Sequence, residues 1–152
     1  GPGGGHTGAV GGAHRCRGVD GITDKGFLQP REVHDALAEA GCFVMASRFD
    51  PWPLALVEAC AAGLPVVATA ACGSAVENVR DHVNGFIVAT DDAQAFAEGL
   101  LAVDQAYDRL AAFGAASRGF AAAYSAEVWT RRWTDIAQKA HARRMARALE
   151  AA

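Results

Sequence analysis

The fold is decided by residues 42–68, where the sequence reads CFVMASRFDPWPLALVEACAAGLPVVA. The apolar runs at 42–46 and 65–68 lack polar alternation, which predicts strands covered on both faces of a parallel sheet. Between them, residues 54–62 have a helical pattern, and Gly63 directly afterwards is a typical left-handed helix stop. A strand, a helix and a second strand at this spacing predict a βαβ unit.

The same alternation continues downstream of this unit. A short helical pattern at residues 75–79 precedes a third apolar run at 86–88. Phe96, Leu100 and Val103 then recur at helical spacing and predict an amphipathic helix. The sequence therefore predicts an open parallel sheet with helices on both faces.

Upstream, the sequence predicts one further strand and one further helix. The stretch after Gly18, which ends in KGFL at residues 25–28, could supply a short strand. Pro30 stands where a helix can begin without losing a needed donor. Val33 and Leu37 continue that helix as a one-sided apolar stripe.

The C-terminal part of the chain predicts further helices. Gly114 and Gly119 indicate a short break between them. In the last helix, Trp129, Trp133 and Ile136 recur at helical spacing, which predicts an aromatic stripe packed on the body of the domain.

Composition limits the classes of protein and partner. Of 152 residues, 51% are hydrophobic and 20% are charged, as expected for a soluble globular domain. A net charge of −3 offers no general basic surface, so we expect no nucleic-acid partner. The four cysteines lack paired spacing and no signal-peptide pattern opens the chain, which favours reduced thiols and a cytoplasmic protein.

Two acidic residues follow the first buried strand. Asp50 and Glu58 have seven residues between them, and the predicted helix begins near Leu54. Ligands bind outside the carboxyl ends of parallel strands, where a helix offers free amides and a positive dipole end to a phosphate. Carboxylates beside a diphosphate are suited to accept hydrogen bonds from hydroxyls, which indicates a sugar nucleotide. On spacing alone, however, such acids are more often solvated or capping groups.

Five short motifs follow one another along the chain. They are GFLQP at 26–30, SRFDPW at 47–52, EACAAGLPVV at 58–67, CGSAVE at 72–77 and NGF at 84–86. Together they resemble the C-terminal domain of retaining GT-B glycosyltransferases of family 4, over roughly residues 22–135. The resemblance implies a Rossmann-like donor-binding domain, which is half of a GT-B fold. We place it at residues 21–125, after a flexible glycine-rich lead-in at 1–20 and before an amphipathic helix at 126–152.

The resemblance implies roles for particular residues. In the family motif Glu-x7-Glu, the first acid contacts hydroxyls of the donor sugar and the second holds the ribose hydroxyls of the nucleotide. Glu58 matches the second position, and Asp50 occupies the first with a side chain one methylene shorter. Trp52 and Leu54 would offer backbone amides to the donor, because the prolines beside them have no N–H.

A glycine after the second strand is the remaining predicted site residue. Gly73 is predicted to line the donor site, because glycine lets backbone approach a ligand closely. Glu77 matches the family acid that follows this glycine, but a carboxylate at a helix start also interacts with its own dipole. Its role stays open.

The implied activity is transfer of a sugar from a UDP-sugar or GDP-sugar to an acceptor hydroxyl with retention, in polysaccharide or glycolipid synthesis. Asp50 and Glu58 would position the donor, and no residue is assigned as catalytic. We expect no cofactor and no metal, because the five histidines are isolated and no DxD cluster occurs. The alternative is a non-catalytic nucleotide-sugar-binding or interaction module with a degenerate GT-B half. A nucleotide-sugar epimerase would require more acids and histidines for proton transfer.

The resemblance also implies partners for this domain. In the family, an N-terminal acceptor-binding domain completes the cleft, and an arginine and a lysine upstream of the matching region neutralise the diphosphate. We therefore expect the fragment alone to be inactive and its sheet to have an exposed edge. Residues 128–152 contain six basic and two acidic side chains. This helix is interpreted either as a solvated face or as a peripheral membrane contact.

Overall fold

The computed structural model describes residues 21–150, with side chains described as far as residue 148. The predicted lead-in at 1–20 lies outside this range. In chain order the elements are α1 (Pro30–Glu39), β1 (Phe43–Met45), α2 (Leu54–Ala62), β2 (Val66–Thr69), α3 (Ala75–Asn78), β3 (Gly85–Val88), α4 (Ala93–Gln105), α5 (Leu110–Ala121) and α6 (Ala126–Glu150), with short 3-10 turns before and after α5.

The three strands form one parallel sheet in the order β1-β2-β3. Val67 lies at its centre, paired with Val44 on one side and Phe86 on the other. All four residues of β2 are buried, which confirms the predicted buried strand. The prediction is wrong for β1, where Val44 is 49% exposed. The reason is that α4 packs mainly against β2 and β3, so no helix of the described chain covers that face of β1 to the same extent.

Helices cover both faces of the sheet, as predicted. On one face, Leu56 and Cys60 of α2 pack with Val66 and Ala68 of β2 in the main core. On the other face, a Cβ built on Gly99 of α4 would lie 3.0 Å from a Val67 methyl, so the helix backbone lies almost directly on the sheet. The result is a three-layer Rossmann-like arrangement whose strand ends face one edge.

The segment before α1 differs from the prediction. Residues 25–28 form no strand, because the chain turns at Gly26, which has a φ of +65°. The Gly26 amide donates to Asp24 Oδ1 at 2.8 Å, and Phe27 is 88% exposed. The helix does begin at Pro30, and the Glu32 side chain accepts the Gln29 amide at 2.7 Å just before it.

The predicted break between Gly114 and Gly119 is also wrong, since both lie inside α5. Gly114 is buried, and a Cβ there would lie 2.6 Å from the Gly63 carbonyl oxygen. Glycine at this position therefore permits close packing of α5 on the end of α2. Gly63 itself ends α2 in the left-handed conformation, with a φ of +84°, as predicted.

The aromatic stripe of α6 does not pack on the body of the domain, contrary to the prediction. Trp129, Trp133 and Ile136 are 62%, 54% and 53% exposed. The centroids of the two tryptophan rings lie 5.9 Å apart, so the rings pack on each other. The reason is that α6 contacts the rest of the domain mainly through the turn Ala122–Tyr124 and then leaves it. Among the described residues, no helix is long and apolar enough to span a membrane.

The three described cysteines are free thiols, and Cys16 lies outside the described range. Cys60 and Cys72 are buried and Cys42 is half-buried. Burial raises the pKa of Cys42 and of Cys60 to about 11, so both remain protonated near neutral pH. Cys60 and Cys72 are packing residues of the core.

Candidate functional site

The predicted site begins in the loop that follows β1 at the carboxyl edge of the sheet. This loop is held by the loop that follows β2. Thr69 Oγ1 donates to the Ser47 carbonyl at 2.5 Å, and the Asp50 amide donates to the Ala71 carbonyl at 3.2 Å. Asp50 therefore has a defined backbone position close to the end of the central strand.

The structure brings Gly73 directly against this loop. The Gly73 amide donates to the Asp50 carbonyl at 2.9 Å, and buried Ser74 donates from Oγ to the Pro53 carbonyl at 3.1 Å. A Cβ on Gly73 would lie only 2.0 Å from the Pro51 carbonyl oxygen. Glycine is therefore required for the two loops to meet, which is a structural reason distinct from lining a ligand.

The Asp50 carboxylate faces the start of the next helix. Its Oδ1 accepts the Trp52 amide at 3.1 Å, and the residue is half-buried. The other carboxylate oxygen has no donor among the described residues. The Trp52 amide is thus already engaged, while its ring is 42% exposed and lies edge-on to Tyr124 at 5.6 Å between centroids.

The amino end of α2 offers unpaired backbone donors beside Asp50. Pro53 occupies the N-cap position and is buried, and the Leu56 amide donates to its carbonyl at 3.3 Å. Within residues 21–150, the amides of Leu54 and Ala55 have no acceptor. Two free amides and the positive end of the helix dipole together form a surface that attracts an anion.

Glu58 lies on α2 about one turn, or roughly 6 Å, beyond Leu54. Its side chain is exposed, whereas Leu56, Ala59 and Cys60 of the same helix are fully buried. No hydrogen bond or ion pair joins Glu58 to another described residue. Its carboxylate is therefore available to accept hydrogen bonds from a ligand on the solvent side of the helix.

Glu77 is close to Tyr124. Burial, and next the charge of Glu77, raise the pKa of the Tyr124 hydroxyl. Glu77 therefore contributes to the surroundings of the aromatic pair formed by Trp52 and Tyr124. Its role toward a ligand stays open.

An open depression of about 460 Å³ lies beyond the ends of all three strands. The ion pair between Arg48 and Asp91 spans it, with Arg48 Nε 2.6 Å from Asp91 Oδ1. The predicted donor residues do not line this depression. Sequence reasoning missed the pair because its members are 43 residues apart. The available signal was that both residues follow strands whose carboxyl ends lie at the same edge of the sheet. The lining residues are Ala46, Arg48, Thr69, Ala89, Asp91, Asp92, Ala93 and Phe96.

Comparison with known proteins identifies the family. Residues 14–119, more than half of the chain, match the family described as glycosyl transferases group 1. The chain belongs to this family. This agrees with the resemblance inferred from the five motifs, and the matched glycosyltransferase region contains both Asp50 and Glu58.

Relatives of this glycosyltransferase domain include D-inositol 3-phosphate glycosyltransferase of Streptomyces griseus, 32% identical over 134 residues. The match covers 80% of the chain and 28% of that relative, so the chain spans less than a third of the relative's length.

Solved structures of other proteins share the fold. Sucrose-phosphate synthase of Thermosynechococcus elongatus has a TM-score of 0.64 and 24% identity, over 70% of this chain and 27% of that one. Anabaena HepE in complex with UDP has a TM-score of 0.57 and 27% identity, over 70% and 29%. The pneumococcal O-GlcNAc transferase GtfA, in complex with UDP and GlcNAc, has a TM-score of 0.58 and 19% identity, over 70% and 22%.

Proposed function

We propose that this domain binds a nucleoside-diphosphate sugar at the amino end of α2 and forms the donor site of a retaining glycosyltransferase. The carrying observation is that the amides of Leu54 and Ala55 are unpaired at the start of α2, where Asp50 precedes them in the loop and Glu58 follows them about one turn along the helix. The UDP bound to HepE, at 27% identity, supports a uridine nucleotide as one candidate. The sugar acceptor would be a hydroxyl group in polysaccharide or glycolipid synthesis.

Each side chain would have a positioning role. The diphosphate would lie on the two amides, where the α2 dipole stabilises the charge that develops as the sugar departs. Glu58 would accept hydrogen bonds from the ribose hydroxyls, and Asp50 would accept from a sugar hydroxyl through its unpaired oxygen. An N-terminal acceptor-binding domain would close the cleft, and an arginine and a lysine upstream of the matching region would contribute the remaining positive charge. The chain covers 28% of its relative, which is long enough to include both.

A substitution at Glu58 tests the ribose contact. Glu58→Gln removes the charge with almost no change in volume. We expect binding of UDP-glucose and of GDP-mannose to weaken about 10-fold, which corresponds to the loss of one hydrogen bond to a charged group. Ligand-observed NMR titration with UDP-glucose and GDP-mannose measures this. Glu98→Gln is the matched control, because Glu98 is exposed on α4 on the other face of the sheet. Equal affinities of parent and Glu58→Gln would remove the proposed ribose contact.

A non-catalytic binding or interaction module is the second candidate. The observation that favours it is the Trp52 amide, which donates to Asp50 where the catalytic proposal would direct it to the donor. The enzyme turns over the donor, whereas the module only binds it. The test therefore uses a polypeptide that also carries an N-terminal acceptor-binding domain. Hydrolysis of UDP-glucose or GDP-mannose by that polypeptide would support the enzyme, and donor binding without turnover would support the module.

We also propose that the protein is cytoplasmic and touches the membrane peripherally through α6. At 3.6 residues per turn, the face that bears Trp129 and Trp133 continues to Arg143, Arg144 and Arg147. These arginines lie around Ala140 on the exposed helix surface and form no ion pair with a described residue. Exposed tryptophans and arginines on one face are suited to the interface of an anionic bilayer.

Vesicle binding tests this contact with a charge-matched pair of variants. Arg147 lies about five turns after Trp129 on the same face, whereas Arg131 projects from nearly the opposite side. We expect Arg147→Gln to weaken sedimentation with phosphatidylglycerol-containing vesicles about fivefold, from about 1 kcal/mol per surface charge. Arg131→Gln should have a smaller effect. Equal losses, or no binding to anionic vesicles, would refute the proposed face.

A further inference from the structure

One ion pair connects the two outer strand ends across the carboxyl edge of the sheet. Arg48 Nε donates to Asp91 Oδ1 at 2.6 Å, from the loop after β1 to the loop after β3. Both loops flank the end of β2, whose Thr69 lines the depression below the pair. The pair therefore bridges these two loops above the end of the central strand.

The loop that carries Asp50 is attached on its other side by backbone bonds. The Asp50 amide donates to Ala71, and the Gly73 amide donates to the Asp50 carbonyl, so the loop after β2 holds that flank. Arg48 stands two residues before Asp50 and attaches the opposite flank to Asp91. The backbone that presents the Asp50 carboxylate is thus held from two directions.

The backbone at Asp91 indicates that its side chain matters. Asp91 has a φ of +62°, in the left-handed region that glycine adopts at lower energy than aspartate. Asp92 already caps α4, since its Oδ1 accepts the Ala95 amide at 2.9 Å, so Asp91 is not needed as the cap. What the Asp91 carboxylate adds is the bond to Arg48.

We propose that the Arg48–Asp91 pair is a clamp that positions Asp50 for the sugar part of the donor. The proposal rests on the proposed function, because it assumes that Asp50 contacts the sugar and Glu58 the nucleotide. Arg48 and Asp91 are positioning residues, since neither is placed in contact with the donor. The side chains are 84% and 62% exposed, so solvent screening limits the effect to a few-fold change in affinity.

The affinity for UDP-glucose relative to UDP tests the clamp. Asp91→Asn retains the shape and the tolerance of a positive φ but removes the charge, and Arg48→Gln removes the other partner. We expect each variant to bind UDP-glucose about three- to fivefold more weakly while its affinity for UDP stays unchanged. The double variant should lose no more than either single variant, because the two act through one contact. GDP-mannose and GDP form a parallel pair of probes.

A second exposed ion pair provides the matched control. Lys139 and Asp135 on α6 also lie 2.6 Å apart, far along the chain from the site. Asp135→Asn should leave the ratio of UDP-glucose to UDP affinity unchanged. If the effect came from loss of surface charge in general, Asp135→Asn would change this ratio as well. A normal ratio in both Asp91→Asn and Arg48→Gln would overturn the clamp.

Amide hydrogen exchange keeps the clamp testable even if the donor proposal fails. If the parent chain binds no nucleotide and Glu58→Gln changes nothing, the proposed function is refuted. The clamp still predicts about threefold faster exchange at the Asp50 and Gly73 amides in Asp91→Asn, because their hydrogen bonds hold the same loop. Exchange rates equal to those of the parent at both amides would overturn it.

Discussion

Gly73→Ala should disrupt the junction between the loops after β1 and β2. The added Cβ would lie 2.0 Å from the Pro51 carbonyl oxygen, well inside van der Waals contact. Both groups belong to backbone, so the loops must separate by more than 1 Å to reach an ordinary contact. The φ of Gly73 is not in the left-handed region, so the steric contact alone carries the prediction.

The magnitude follows from the bonds that this separation would break. They are the Gly73 amide to the Asp50 carbonyl, the Asp50 amide to Ala71, and the Ser74 hydroxyl to the Pro53 carbonyl. At about 1 kcal/mol each, losing two or three lowers the free energy of unfolding by about 2–3 kcal/mol. For a chain of this size, that lowers the melting temperature by roughly 5–10 °C.

Urea unfolding of Gly73→Ala beside Gly119→Ala measures this effect. Gly119 is exposed inside α5, and a Cβ there would meet nothing within 4 Å, so alanine should stabilise the protein by about 0.5–1 kcal/mol. The two variants make the same chemical change with opposite expected signs. A Gly73→Ala protein within 0.5 kcal/mol of the parent, with unshifted Asp50 and Trp52 amide resonances, would refute the reasoning.

Two further predictions concern the core. Ser117→Ala removes the buried hydroxyl that donates to the Leu64 carbonyl at 2.7 Å and accepts from Asn84 at 3.1 Å, and should cost about 1–3 kcal/mol in urea unfolding; a loss under 0.5 kcal/mol would contradict it. Burial raises the pKa of Cys60 from 9.0 to about 11, so its contribution is complete below pH 9 and is lost as the pH rises to 11. We expect the Cys60 thiol to lower stability by roughly 1 kcal/mol at pH 10, so the decline with pH should be shallower in Cys60→Ala; equal slopes would contradict this.

The parts of the fold predicted correctly have local causes. The α2 bounds follow from the apolar pattern and from Gly63, whose left-handed φ of +84° ends the helix. Strand β2 is buried throughout because helices cover both of its faces, and its first three residues are apolar. Apolar periodicity records such burial directly, so these elements could be predicted without knowledge of distant contacts.

The parts predicted wrongly depend on distant or missing neighbours. Residues 25–28 have apolar character, yet a strand requires a partner, and the described chain turns there instead. Gly114 has the appearance of a helix breaker, yet it lies inside α5. Glycine is required there because α5 approaches the Gly63 backbone too closely for a side chain. Trp129 and Trp133 have the spacing of a buried stripe, although no described element lies over them. A one-dimensional pattern identifies an apolar face without showing what covers it.

The site could be predicted to the level of its elements but not of its contacts. The placement of Asp50 after the first strand and of Glu58 on the next helix followed from the sequence, because parallel strands present their carboxyl ends to one edge. The bond from the Trp52 amide to Asp50 and the approach of Gly73 to Pro51 depend on loop geometry that spacing does not encode.

Asp50 has a shorter side chain than the glutamate of the family motif, and the structure suggests how a shorter acid can still be presented. Three attachments fix the loop: the bonds of Asp50 to Ala71 and Gly73, and the pair from Arg48 to Asp91. On a fixed backbone, a short side chain loses less rotamer entropy on binding than a long one, but it extends less far towards the sugar hydroxyl. A well-fixed loop can therefore compensate for the shorter acid. If that compensation operates, Asp50→Glu should strengthen binding of UDP-glucose only where the clamp is broken, as in Asp91→Asn. Improvement of the same size in the parent chain would mean that reach, and not backbone position, limits the contact.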